Sequence, residues 1–97
     1  MNNLPPFFIR RFDSHKFEKL MRSFVKNIYF MSNSKLDFKH KLIHNTLETY
    51  FHYKYQININ DIKEDEVNSI TDYLIDIFGS LIDMYYTSLK KNIRNPL

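Results

Sequence analysis

The chain has 97 residues, with 14 Lys or Arg, 11 Asp or Glu and no Cys, which leaves room for one domain and excludes disulfide frameworks and thiolate zinc modules. The single glycine, Gly79, excludes the Gly-rich loops of Walker and dinucleotide sites, where the backbone must approach a phosphate closely. Aromatic residues at 16% can anchor a core, so the composition is that of a globular chain rather than a disordered one.

Asn, Lys, Ile, Phe and Tyr together supply 47 residues, and there is no Ala. All five have AT-rich codons, which points to an AT-rich genome such as that of a bacteriophage, a low-GC bacterium or a large DNA virus. Helices without Ala draw little on intrinsic propensity and must be held by packing of their apolar faces.

Residues 1–13 read as an extended arm. Pro5 and Pro6 disfavour helix, and Phe7, Phe8, Ile9 and Phe12 surround Arg10 and Arg11 with apolar side chains that are expected to pack over the rest of the chain. No basic region precedes an uninterrupted apolar helix here, so the segment reads as mature sequence. A first helix is predicted over 14–31, capped by Asp13 or Ser14, with Phe17, Leu20, Met21, Phe24, Ile28 and Met31 at helical spacing. Ser32-Asn33-Ser34 interrupts the pattern and supplies caps for a second helix over 35–55, whose main face carries Leu36, Ile43, Leu47, Tyr50 and Phe51. Phe38, Leu42 and Tyr53 form a second apolar strip on that helix and constitute a candidate interaction site.

Gln56-Ile57-Asn58-Ile59-Asn60 alternates too briefly to found a sheet and reads as a loop. Asp61 and Glu64 have the spacing of a capping box for a long third helix over 62–93, with Asp65 and Glu66 in its first turn and Lys90, Lys91 and Arg94 at its far end. This helix has the widest apolar arc and is expected to be central. Val67, Ile70, Leu74, Ile77, Leu81 and Met84 step by threes and fours along it, a seam that a partner chain could share. A bend at Gly79-Ser80 is the alternative to one continuous helix. The stretch Ile70–Tyr86 contains Asp72, Asp76 and Asp83, so no transmembrane segment is expected. The fold class that follows is all-α: one domain over 1–97, a small three-helix up-and-down bundle with an extended Pro/Phe-rich N-terminal arm.

Charge is unevenly divided. Residues 1–55 hold 10 Lys or Arg against 4 Asp or Glu, and residues 56–97 hold 4 against 7. On the first helix His15, Lys19, Arg22 and Lys26 fall on one stripe opposite the apolar face, with Arg10 and Arg11 upstream and Tyr29 and Phe30 adjacent. Cations one turn apart can neutralise successive phosphates, and an aromatic beside them can stack on an unpaired base; an acidic protein surface would suit the same row. A plain solvated face has the same pattern.

His40 and His44 stand four apart, with Asp37 a turn before and Glu48 a turn after, a spacing that can hold zinc. The metalloprotease pattern would place Glu after the first His, where Lys41 stands, so these are weak metal candidates. Asp72, Asp76 and Asp83 align on the third helix, but Asp76 and Asp83 are about 10 Å apart along the axis, too far to share one ion.

No catalytic constellation and no cofactor site emerges. The functional expectation is a small non-enzymatic helical binding protein, phage- or mobile-element-encoded, that modifies or inhibits a host macromolecule through the basic face, in the cytoplasm. Its expected partner is a nucleic acid or a host protein with an acidic surface. The alternatives are a homodimeric interaction module built on the third helix and a peripheral membrane protein docking through the Phe-rich arm.

Overall fold

A computed structural model of the chain describes residues 6–94, with helices α1 (Pro6–Arg11), α2 (Ser14–Phe30), α3 (Lys35–Tyr55) and α4 (Glu64–Arg94) and a 3-10 turn at Ile59–Asp61. Among the described residues there is no strand. The first two long helices begin where the sequence supplies an acceptor for unpaired N–H groups. The Asp13 carboxylate caps α2 by accepting from the Lys16 N–H at 3.1 Å, and the Ser34 hydroxyl caps α3 by accepting from the Asp37 N–H at 3.1 Å. Asp37 reaches back to accept from the Asn33 N–H at 2.9 Å, which closes the α2–α3 turn.

The arm is not extended beyond Pro6. It forms helix α1, because a proline in the first helical turn gives up only an N–H that would be unpaired anyway. The turn brings Phe8 and Phe12 together, stacked at 4.8 Å. Phe8 is fully buried and meets Phe51 at 6.0 Å and Tyr73 at 6.1 Å, so the arm packs into the bundle. The side chains of Phe7 and Ile9 and all of residues 1–5 lie outside the described residues. The Tyr50 hydroxyl on α3 accepts from the Asp13 N–H at 2.8 Å and faces the Arg11 carbonyl at 3.5 Å, tying the α1–α2 corner to the core.

The predicted capping box at Asp61 does not form. Asn58 instead accepts from the Asn60 N–H at 2.9 Å and starts the 3-10 turn, which consumes Asp61 and buries Ile59. The first helical bond of α4 therefore runs from the Val67 N–H to the Lys63 carbonyl at 3.0 Å. At the other side of this loop α3 ends on Gln56 in the left-handed region, at φ 54°. That reversal lets the Ile57 N–H reach the Phe51 carbonyl at 3.2 Å.

Ring contacts give the topology. Phe17 meets Tyr50 at 5.6 Å and Tyr29 meets Phe38 at 6.1 Å, so α2 and α3 are antiparallel. Phe17 also meets Phe78 at 5.4 Å and Tyr29 meets Tyr86 at 5.3 Å, so α4 runs parallel to α2. The central helix is α3, packed along both neighbours, while α2 and α4 touch each other much less. This corrects the expectation that the longest helix would be central. Helix α3 buries Phe38, Leu42, Ile43, Thr46, Leu47, Tyr50 and Phe51, which spread over about 220° of its circumference and serve both neighbours. With 31 residues, α4 spans about 46 Å and sets the 48 Å long dimension of the molecule.

Helix α4 runs unbroken through Gly79, which lies under Lys39 of α3. A β-carbon there would meet Ile75 Cγ2 and Lys39 Nζ, each at 3.9 Å, an ordinary contact, and the glycine does not use positive φ. Gly79→Ala is therefore expected to stabilise the fold by about 1 kcal/mol, read as a higher denaturation midpoint with an unchanged slope.

Burial, and then the neighbouring Tyr50 hydroxyl, push Tyr55 up from 10.0 to about 12. The unfolded chain thus loses this proton first. The stability tied to the neutral phenol is fully present below pH 10 and is lost as pH rises toward 12. Tyr55→Phe is expected to flatten this alkaline limb in a series of thermal melts, and an unchanged limb would assign the loss to other groups.

Candidate polyanion-binding face

The basic stripe is built on the α2 surface opposite Phe17, Met21 and Ile28, which are buried against the other helices. That anchoring turns His15, Lys19, Arg22 and Lys26 outward, and all four are exposed. From His15 to Lys26 the row covers about 16 Å of helix axis. Arg10 and Arg11 are exposed at the end of α1, a few residues before His15.

Glu18 modifies this row in a way the spacing alone did not bring out. Its carboxylate accepts from Arg22 at 2.6 Å, an i,i+4 pair that holds the guanidinium in place. The Glu18 hydrogen bond, with the Tyr85 hydroxyl of α4 alongside, raises the Arg22 pKa further. Arg22 is thus positioned at the α2–α4 border, while neither Lys19 nor Lys26 has an ion-pair partner among the described residues.

The two aromatics at the end of the stripe part company. Tyr29 turns inward and packs on Tyr86 at 5.3 Å and Phe38 at 6.1 Å, so it is a core contact and not a stacking platform. Phe30 is 70% exposed and stands one turn beyond Lys26, in line with the cations. The separation is a rotation of about 100° for one residue, enough to move a ring from core to surface.

Phe38 and Leu42 are fully buried, so the interaction strip expected with Tyr53 does not exist; α3 needs its wide apolar arc for its own neighbours. Tyr53 alone remains, at 68% exposure. On α4 the expected seam is half used: Ile70 and Leu74 are buried within the chain, while Ile77 and Met84 are 44% and 67% exposed. In the arm, Phe8 belongs to the buried core cluster and Phe12 packs against it, so both are engaged by the bundle.

His40 and His44 are exposed on α3, but Asp37 is engaged by Lys41 at 3.1 Å and by the Asn33 N–H. Those bonds hold the Asp37 carboxyl below its ordinary range, the Asn33 bond contributing most. Among the described residues no group of three His, Asp or Glu gathers as a metal site would require. Asp83 pairs with Lys39 at 3.1 Å and is likewise committed to the fold. An open groove of about 1060 Å³ runs past His40, His44, Asn45, Asn68, Thr71 and Asp72, and its charged and imidazole side chains are exposed rather than buried and convergent.

Comparison with protein families, curated proteins and solved structures gives no match for this chain. Function has to be read from the face itself. Among the described residues no helix is long and apolar enough to cross a membrane.

Proposed function

We propose that this chain is a small non-enzymatic binding protein that engages a polyanion, nucleic acid first, through the outer face of α2. The observation that carries the reading is the row His15, Lys19, Arg22 and Lys26, exposed opposite the core and ending in the exposed ring of Phe30. A rigid row of this kind neutralises successive phosphates, and Phe30 supplies an apolar ring against sugar or base. The AT-rich residue usage supports a phage or mobile-element setting in which a host macromolecule is the target. An acidic protein surface would satisfy the same cations but would not need the terminal ring.

The test is fluorescence anisotropy of labelled single- and double-stranded oligonucleotides at several salt concentrations. Neutralisation of about four phosphates on duplex predicts a slope of about −4 in log affinity against log salt. Absence of binding at low salt rejects the nucleic-acid reading. The exposed Ile77 and Met84 favour a second reading, a homodimer along α4. Sedimentation at increasing concentration decides it, since a constant monomer mass excludes the dimer.

A further inference from the structure

Three of the six large hydrophobic side chains that are exposed among the described residues stand together at the α2–α3 turn: Phe30 at 70%, Met31 at 63% and Leu36 at 62%. Much of the backbone beneath Phe30 and Met31 is satisfied internally. Met31 and Ser32 donate their N–H groups to the Ile28 and Tyr29 carbonyls at 3.1 and 3.2 Å, and Lys41 Nζ donates to the Met31 carbonyl at 2.7 Å. The Ser32 hydroxyl donates to the Ile28 carbonyl at 2.6 Å, and Asn33 donates its N–H to Asp37 at 2.9 Å. Each backbone group already partnered lowers the cost of taking this tip out of water.

Among the described residues, the charges near the tip that lack an ion-pair partner are cationic. Lys26 and Lys35 are exposed beside it, and the end of α4 that carries Lys90 reaches this end of the bundle, because Tyr86 packs on Tyr29 at 5.3 Å and on Phe38 at 5.4 Å. The two carboxylates at this end, Asp37 and Asp83, are neutralised by Lys41 and Lys39, each at 3.1 Å. The unmatched acids of α4 lie back from this end: Glu64, Asp65 and Glu66 are in its opposite first turn, about 30 Å along the helix from Tyr86, and the exposed Asp72 and Asp76 are about 20 and 15 Å from it.

We infer that the α2–α3 turn is a membrane-docking tip: Phe30, Met31 and Leu36 enter the headgroup boundary of an anionic bilayer while Lys26, Lys35 and Lys90 contact its lipid phosphates and carboxylates. An apolar cluster ringed by cations matches such a surface in both of its components, and neither component alone gives stable attachment. A second copy is a poorer occupant, since tip-to-tip contact would bring two cationic collars together.

The chain has no Trp, so Phe30→Trp provides a single reporter at an exposed position. With vesicles of phosphatidylcholine containing about one-third phosphatidylserine, its emission is expected to shift to the blue and the protein to float with the vesicles; with pure phosphatidylcholine it should do neither. Met31→Asp combined with Leu36→Asp is expected to weaken vesicle binding about tenfold or more. Both positions are exposed and lie outside the row His15, Lys19, Arg22 and Lys26, so far-ultraviolet circular dichroism should be unchanged and oligonucleotide affinity should fall far less than vesicle binding. Wild-type protein that stays unbound by anionic vesicles, or a double variant that floats as well as wild type, overturns the proposal. A dimer that the double variant dissolves also overturns it and assigns the tip to a second copy.

Discussion

A triple variant Lys19→Glu, Arg22→Glu, Lys26→Glu is expected to lose more than about 100-fold in oligonucleotide affinity at low salt, and the residual salt slope should fall to about −1. The substitution turns three cations on one helical row into three anions, so the face repels phosphate instead of merely ceasing to attract it. The fold should survive. All three positions are exposed, and the one ion pair lost, Arg22 with Glu18, has its Arg side chain 63% exposed. New like-charge neighbours at i,i+4 cost a few tenths of a kcal/mol each, and an exposed pair of this kind contributes about as little. Circular dichroism and a denaturant midpoint near wild type would locate the loss in the face. A triple variant that still binds with an unchanged slope would show that the contact lies elsewhere.

The second large effect concerns the frame that holds this row. Phe17→Ala is expected to destabilise the chain by about 3 to 5 kcal/mol. Phe17 is fully buried where α2, α3, α4 and the α1–α2 corner meet: its ring stands 5.6 Å from Phe12, 5.6 Å from Tyr50 and 5.4 Å from Phe78. Truncation leaves a cavity among rings too large to close it, and a domain of this size has only about 5 to 15 kcal/mol in total. A fall of roughly 15 to 30 °C in melting temperature follows from the usual entropy of unfolding for such a chain. Phe30→Ala, at a position 70% exposed, should by contrast change stability by less than about 0.5 kcal/mol. Two phenylalanines of the same helix thus separate folding from binding, with stability read by denaturation and contact read by anisotropy.

The sequence alone determined the three long helices and the orientation of α2, because a single apolar arc on one side leaves only one way to face the core. His15, Lys19, Arg22 and Lys26 had to point outward once Phe17, Met21 and Ile28 pointed in. Caps at Asp13 or Ser14 and within Ser32-Asn33-Ser34 were equally legible, since a short acceptor before an apolar-periodic run satisfies N–H groups locally, and the structure selects Asp13 and Ser34.

What the tertiary structure decided are the matters that depend on how many neighbours a helix has. A helix touched on two sides buries a wide arc, so Phe38 and Leu42, which look like a spare strip along the chain, are core residues of a central α3. Tyr29 became a core ring because α4 lies beside that edge of α2, while Phe30 stayed in water. Asp61 lost its capping role to a turn held by Asn58 and by burial of Ile59, a long-range packing gain that local spacing does not contain. The gathering of Phe30, Met31 and Leu36 at one exposed tip, with Asp37 and Asp83 neutralised around it, likewise depends on contacts between helices, and spacing within a single helix cannot record them.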